Sequence, residues 1–107
     1  MRIDQLRYLT EIAQSHSMHA TSNKMHISPQ ALSASIKAME NEIGLELLER
    51  SFQGTELTPL GEEISEIAQD FLAKLDTILS AYRNPDLKEQ TYFNFHFFPY
   101  DEMDSFA

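Results

Sequence analysis

The sequence predicts a small, mainly α-helical protein of four helices with one short β-hairpin. Apolar residues recur at helical spacing over most of the first 84 residues. A hydroxyl residue followed by proline, a favoured helix start, occurs at Ser28-Pro29 and at Thr58-Pro59. Only three glycines and four prolines are present in 107 residues, which leaves few turns for an all-β architecture.

The composition excludes several classes of protein. Hydrophobic residues make up 42% of the chain, which is enough for a packed core and excludes wholesale disorder. The chain has no cysteine, so disulfide frameworks and thiolate metal sites are excluded. Its apolar runs are too short to span a membrane, and the N-terminal segment MRIDQLRYL lacks the apolar core of a signal peptide. We therefore expect a cytoplasmic protein without membrane contact.

The first two helices are short and are separated by a polar break. The first is predicted to begin at its cap, Asp4, and to end near Gln14, because apolar residues repeat there at helical spacing. Ser17 follows the break and is predicted to cap a second helix over residues 18–25. The side chains expected to face inward from this second helix are Ala20 and Met25.

The third helix is predicted from Pro29 to about Ile43. Ser28 is a favoured cap, and proline suits the first helical position, where no amide donor is needed. Gly44 stands where a helix end favours a left-handed residue. The apolar side chains predicted to face the core repeat every three or four residues: Leu32, Ile36, Met39 and Ile43.

After this helix the pattern changes to two short strands, residues 47–52 and 55–58, around a glycine turn. A long fourth helix is predicted from Pro59 to Tyr82. Its apolar side chains cover too much of the circumference for one domain to bury, so we expect the helix to pair with its own copy. The predicted dimer seam consists of Ile64, Ala68, Phe71, Leu75, Ile78 and Tyr82.

The second and third helices, joined by a tight turn, form a predicted helix-turn-helix, and the hairpin makes it a winged helix-turn-helix. In this motif the second of the two helices protrudes and places its polar side in the major groove of DNA. The positions predicted to face outward are Gln30, Ser33, Ala34 and Lys37. Glutamine can address adenine, serine can bind a base edge or a phosphate, and the helix N-terminus near Ser28 favours phosphate. The same pattern also fits a helical bundle in which these positions are only solvated.

The segment from Gln5 to about Tyr82 resembles the N-terminal DNA-binding domain of LysR-type transcriptional regulators. The resemblance rests on the stretches QLRYLTEIA, HSMHATSNKMHISPQALSASIKAMENEIGLELLER and GTELTPLGE. It implies a bacterial regulator that binds a double-stranded DNA operator as a homodimer through the linker helix, with a tetramer left open. It also implies a recognition helix, about residues 29–43, in the major groove and a wing near the minor groove or the backbone. The implied DNA-binding residues are Met18, His19, Lys24, Ser28, Pro29, Gln30, Ser33, Ala34, Lys37, Arg50 and Gln53.

The chain departs from the family pattern at several positions. Thr21-Ser22 replaces the usual pair of alanines, Met18 replaces an aromatic residue, and Ala34 stands where arginine is common. Uncharged or acidic residues occupy the wing positions where the family usually has arginine or lysine: Gln53, Thr55 and Glu56. Because phosphate contacts dominate affinity, these changes predict weak non-specific binding and a shallow salt dependence.

The net charge of -9 increases toward the C-terminus. Residues 1–59 carry five basic and seven acidic side chains, residues 60–84 two and five, and residues 85–107 one and five. The charge therefore does not exclude DNA binding by the first segment. We predict a DNA-binding domain over residues 1–58, a linker and dimerisation helix over 59–84, and an acidic, aromatic tail over 85–107.

The tail alternates like a strand, with Phe93, Phe95 and Phe97 on one face. It resembles the start of the effector-binding domain of the family, and we expect the rest of that domain to lie outside this chain. No cofactor or effector site is therefore expected in these 107 residues. We hypothesise that the tail adds to the dimer contact.

A protein-interaction module with weak or lost DNA binding is the alternative function, favoured by the acidic balance and by a wing without cations past Arg50. Arg50 is also expected to pair with Glu46 or Glu49. An enzyme is not expected, because no carboxylate pair, Ser/His/Asp set or glycine-rich phosphate loop has a usable spacing. No metal site is expected from the irregularly spaced histidines His16, His19 and His26.

Overall fold

The structure, a computed structural model, describes residues 1–84, and the predicted aromatic strand of the tail lies outside them. The elements follow the chain in the order α1 Ile3–Ser15, α2 Met18–Met25, α3 Pro29–Ile43, β1 Leu48–Ser51, β2 Gly54–Leu57 and α4 Pro59–Arg83. The two strands pair antiparallel, with Leu48 opposite Leu57 and Ser51 opposite Gly54. This arrangement confirms the predicted mainly helical fold with a hairpin wing.

The chain forms two compact units. The first unit is Met1–Asp70, which contains the helix-turn-helix, the wing and the first half of α4. The second unit begins at Phe71, and its described part is the remainder of α4. The predicted boundary at residue 58 marks the start of α4, whereas the compact unit extends further along that helix.

Three hydroxyl caps start α2, α3 and α4 as predicted. The side-chain oxygens of Ser17, Ser28 and Thr58 each accept a hydrogen bond from the amide three residues later, at 3.0, 3.1 and 3.0 Å. These bonds satisfy amides that have no partner within the helix. At the other end of α3, Gly44 adopts the predicted left-handed conformation, with φ of 74°.

The predicted cap of α1 was wrong by two residues. The helix begins at Ile3, and Arg2 occupies the cap position. The Gln5 side chain, in the first turn of the helix, accepts a hydrogen bond from the Arg2 amide at 2.8 Å. The cap amide is thus satisfied by a residue of the helix itself. Asp4 lies in that turn and accepts from the Gln5 amide at 2.8 Å. The Arg2 guanidinium beside it holds the pKa of Asp4 below its usual range.

The core of the first unit lies between α1, α3 and the base of the wing. Its fully or nearly fully buried side chains are Leu9, Ile12, Leu32, Ile36, Met39, Leu47 and Leu57. This set includes three of the four predicted apolar residues of α3, and the fourth, Ile43, is half-buried against the same core. At about 1.5–3 kcal/mol for each fully buried aliphatic side chain, this cluster is the main source of stability of the unit.

Helix α2 buries hydroxyl groups rather than the predicted alanine. Ala20 is exposed, whereas Thr21 and Ser22 are 1% and 2% exposed. The Thr21 hydroxyl lies 3.1 Å from that of Ser15, and the Ser22 hydroxyl donates to the His19 carbonyl at 2.9 Å. Because each buried hydroxyl has a partner, the polar pair fits where the family pattern has alanines.

Candidate nucleic-acid interface

A tight turn between α2 and α3 sets the direction of the candidate recognition helix. His26 ends α2 in the left-handed conformation, with φ of 57°, and the Ile27 amide donates to the Ser22 carbonyl at 3.0 Å. Ser28 then caps α3. The turn leaves Ser28, Pro29 and Gln30 exposed, so the N-terminus of α3 is open to an approaching ligand.

Helix α3 has one buried face and one accessible face. Leu32, Ile36 and Met39 are at most 2% exposed. The opposite positions remain accessible: Gln30, Ala34 and Lys37 are exposed and Ser33 is half-buried. The predicted division between core and outward positions is therefore confirmed for this helix.

A groove of about 760 Å³ lies between the accessible face of α3 and strand β1. It is lined by Met18, Pro29, Gln30, Ser33, Ala34, Ile36, Lys37, Glu40, Glu46, Leu48 and Arg50. Seven of the eleven predicted DNA-binding residues are among them, so residues from α2, α3 and the wing share one concave surface.

The other four predicted residues lie outside the groove lining. Ser28 is the cap of α3, and Gln53 is exposed in the turn of the wing. The ring nitrogen Nε2 of His19 lies 3.3 Å from the side-chain nitrogen Nδ2 of Asn23. Lys24 Nζ lies 3.2 Å from a carboxylate oxygen of Glu11 in α1.

Arg50 joins the wing to α3. Its Nη2 donates to the Ser33 hydroxyl at 3.4 Å. Among the described residues it forms no ion pair with Glu46 or Glu49, so that expectation was wrong. Arg50 is opposite the buried Thr55 in the sheet register, on the strand face that turns toward α3, and strand alternation places the Glu49 side chain on the other face.

Glu40 anchors the start of the wing, a role that no motif in the sequence indicates. Its Oε2 accepts hydrogen bonds from the amides of Leu47 and Leu48 at 2.8 and 3.1 Å. A carboxylate that pairs with amides seven and eight residues later has no local sequence pattern. Only the folded-back path of the chain after Gly44 shows the contact.

The base of the wing is also held against α4. The Thr58 amide donates to the Leu47 carbonyl at 3.0 Å, and the Thr58 hydroxyl donates to the Glu46 carbonyl at 2.8 Å. Gly61 packs so closely that a Cβ there would lie 2.3 Å from the Leu47 carbonyl oxygen. The wing is therefore fixed to both α3 and α4 at its base.

The charge of the groove is nearly balanced. Lys37 and Arg50 supply two cations, and Glu40 and Glu46 supply two carboxylates. The Glu40 carboxylate is bound by two backbone amides, so part of its charge is compensated within the protein. The described residues hold no cluster of three metal-ligating side chains, and no helix among them is long and apolar enough to cross a membrane.

Comparison with known proteins gives consistent matches. The sequence profile described as "Bacterial regulatory helix-turn-helix protein, lysR family" matches residues 3–62. The HTH-type transcriptional regulator TfdT of Cupriavidus pinatubonensis is 37% identical over 73 residues, which cover 68% of this chain and 32% of TfdT. TcbR of a Pseudomonas species is 35% identical over 72 residues, covering 67% of this chain and 24% of TcbR. The match thus spans about a quarter to a third of the length of these relatives.

Solved structures of DNA complexes share the fold. The DNA-binding domain of BenM in complex with benA site 1 DNA has a TM-score of 0.72 and 29% identity, covering 78% of this chain and 96% of that one. Full-length CbnR complexed with its target DNA has a TM-score of 0.70 and 31% identity, covering 78% of this chain and 29% of that one.

Proposed function

Since this chain belongs to the lysR family of bacterial regulatory helix-turn-helix proteins and has the winged fold of their DNA-bound domains, we propose that α3 binds the major groove of a bacterial operator. The chain is a DNA-binding regulator domain. The observation that carries the proposal is the groove that gathers Gln30, Ser33, Lys37 and Arg50 beside the exposed start of α3. Such binding takes place in the cytoplasm, where the bacterial chromosome lies.

The groove residues suit different parts of DNA. Gln30 is exposed in the first turn of α3, where its amide can form two hydrogen bonds with adenine. Lys37 lies two turns further along the same face and is suited to a phosphate. Arg50 donates to the Ser33 oxygen, so the serine hydrogen remains available for a base edge or a phosphate.

The N-terminus of α3 is suited to a phosphate. The helix has 15 residues, its first turn is exposed, and its aligned peptide dipoles place partial positive charge there. The Ser28 side chain satisfies one amide, that of Ala31, at 3.1 Å. The earlier amide of Gln30 remains for a phosphate oxygen, which adds affinity without a cationic side chain.

The direct test selects an operator from a pool of random duplexes with the whole chain and then measures its dissociation constant. Gln30→Ala should weaken binding about tenfold for each bound protomer and relax the preference at one base pair of each half-site, because a bidentate base contact contributes about 1–3 kcal/mol. Lys37→Ala should weaken binding to all sequences alike. Gln69→Ala and Lys74→Ala, the same changes on α4, are the matched controls. Selection of no sequence by a folded chain would contradict the proposal.

We also propose a homodimer through α4, because the second unit exposes apolar side chains. Phe71, Ile78 and Tyr82 are 46%, 40% and 65% exposed, and Leu75 is half-buried. In the first unit, by contrast, Ala68 is 2% exposed and Ile64 packs on the domain core, so these two predicted seam residues are already covered. The dimer contact is therefore expected from Phe71 onward.

Sedimentation equilibrium tests this contact. Ile78→Glu should convert a dimer to a monomer at micromolar concentration, because a buried unpaired charge strongly disfavours the interface. Ser80→Glu changes an exposed side chain on the face of α4 opposite to the predicted seam and should leave the dimer intact. A wild-type chain that sediments as a monomer would refute the proposed contact.

A protein-interaction module remains the second candidate, because the outer face of the wing is acidic. Glu49 and Glu56 are directly opposite each other in the strand register. Two carboxylates at such positions repel phosphate and also destabilise the pair. This function is supported if the folded dimer selects no duplex and the double variant Glu49→Gln/Glu56→Gln restores DNA binding. Operator binding by the wild type excludes it.

A further inference from the structure

The centre of the accessible face of α3 is occupied by Ala34. This residue stands midway in the chain between Leu32 and Ile36, and both of these are at most 2% exposed. At about 3.6 residues per turn, each of them lies about 200° around the helix axis from Ala34, so Ala34 is opposite the buried stripe. It is exposed and lines the groove beside β1. When α3 enters a major groove, this position therefore points most directly at the base edges.

A methyl group at this position selects bases by their apolar surface. The side chain of Ala34 has no donor or acceptor, and it is short enough for the helix to approach the bases closely. In the major groove thymine presents a 5-methyl group, whereas guanine presents two acceptors and cytosine presents an amino donor. Contact between the two methyl groups removes apolar surface from water. A G·C pair would instead place polar atoms against Ala34 without a partner, which is unfavourable.

The polar residues around Ala34 favour the same kind of base pair. Gln30 lies one turn earlier on the same face, and its amide matches the N6 and N7 atoms of adenine. The adjacent Ser33 hydroxyl accepts a hydrogen bond from Arg50 at 3.4 Å, toward the wing. Lys37, one turn later, has a long side chain suited to the phosphates that border the groove. An adenine bound by Gln30 is paired with thymine, so the amide and the methyl group both select an A·T pair.

We infer that Ala34 contacts the 5-methyl group of a thymine in or next to the A·T pair that Gln30 addresses. This inference rests on the proposed function and names the base that the centre of α3 selects. The recognised feature is a pyrimidine 5-methyl group, which 5-methylcytosine also carries. Thymine is the better ligand, because 5-methylcytosine adds an amino donor that Ala34 cannot satisfy and is paired with guanine instead of adenine.

The test replaces each thymine of one selected half-site in turn by uracil, which lacks only the 5-methyl group. The dissociation constant is then measured with the whole chain. At one position uracil should weaken wild-type binding about fourfold, because burial of one methyl group contributes about that factor. Ala34→Gly should bind the thymine and uracil operators alike. Ala38→Gly makes the same change at an exposed position of α3 outside the groove lining and should retain the fourfold difference.

Cytosine and 5-methylcytosine at the sensitive position distinguish the two sources of the methyl group. Cytosine should bind about tenfold more weakly than thymine, and its 5-methyl derivative should regain about fourfold of that loss. Tighter binding to 5-methylcytosine than to thymine would overturn the assignment to thymine. Selection with Ala34→Arg should change the preferred pair at this position from A·T to G·C, because arginine binds the O6 and N7 atoms of guanine.

Two results separate this inference from the proposed function. Equal wild-type affinity for every uracil operator, with Gln30→Ala still weakening binding, would overturn the methyl contact alone. A selected half-site without thymine would do the same. A wild-type chain that selects no operator would overturn both the methyl contact and the proposed function.

Discussion

The close packing of Gly61 against the wing predicts a large penalty for any side chain at this position. A Cβ at Gly61 would lie 2.3 Å from the Leu47 carbonyl oxygen and 3.2 Å from the Leu57 Cβ. The oxygen cannot move away freely, because it accepts the Thr58 amide at 3.0 Å and belongs to a fully buried residue. The helix or the wing must therefore shift.

The magnitude follows from two opposing effects. Overpacking of a well-filled site typically costs about 1–3 kcal/mol, and a displaced hydrogen bond adds about 1 kcal/mol. The better helix propensity of alanine offsets at most about 1 kcal/mol of this loss in stability, and it offsets less in the first turn of a helix. We expect Gly61→Ala to lower the free energy of unfolding by about 2 kcal/mol, or the melting temperature by roughly 8–16 °C for a domain of this size.

Thermal unfolding followed by circular dichroism measures this loss, and Gly44→Ala is the matched control. Gly44 has φ of 74° and open space around a Cβ, so alanine there meets backbone strain but no clash. That strain costs about 1–2 kcal/mol. The two variants separate in operator binding: Gly61→Ala should weaken it because the wing base moves, whereas Gly44→Ala should not. A melting temperature for Gly61→Ala within about 4 °C of wild type would refute the steric argument.

Variants at three further positions test what holds the wing and α4 in place. Glu40→Ala leaves the amides of Leu47 and Leu48 without their acceptor and should cost about 2–3 kcal/mol in urea unfolding, while Glu40→Gln should retain most of the stability. Thr58→Ala removes the cap of α4 and the bond to the wing and should cost about 1–2 kcal/mol in the same measurement. Ser65→Ala should raise the stability by about 1 kcal/mol, because the Ser65 hydroxyl is buried without a hydrogen-bond partner among the described residues. No stabilisation there would indicate a buried water.

The helix boundaries were predictable because the interactions that set them are local. Ser17, Ser28 and Thr58 each bond an amide three residues away. Proline, which favours the first position of a helix, follows Ser28 and Thr58 directly, so these helix starts can be predicted from neighbouring residues alone. The start of α1 was less predictable. Asp4 and Gln5 both compete to close the first turn, and the side chain of Gln5 reaches the cap amide.

The buried face of α2 could not be predicted from hydrophobicity. The helix has eight residues, and Ala20, which was predicted to face inward, is exposed while Thr21 and Ser22 are buried. The Ser15 hydroxyl, supplied by the end of α1, pairs with Thr21 and makes this burial favourable. Because Ser15 belongs to α1, the pattern of apolar residues along α2 does not indicate that Thr21 is buried beside it.

The candidate interface was predictable as a set of residues but not as a set of contacts. The resemblance placed Ser33 and Arg50 near DNA, and the structure brings both to one groove. It did not indicate that Arg50 bonds Ser33 instead of a carboxylate, or that Glu40 holds the start of the wing. These contacts depend on the angle between α3 and the hairpin. That angle is set where the base of the wing packs against α4.

The small number of cations near α3 predicts the salt dependence of operator binding. Lys37 and Arg50 line the groove, and Lys24 on α2 forms an ion pair with Glu11. At about 0.9 released counterions for each neutralised phosphate, three cations in each protomer limit the slope of log K against log[salt] to about -5 for a dimer. Lys37→Ala should reduce this slope by about 1.8, one phosphate in each protomer. A slope steeper than about -7 would show that cations outside this surface contact DNA, and α3 with the wing would then not be the main source of affinity.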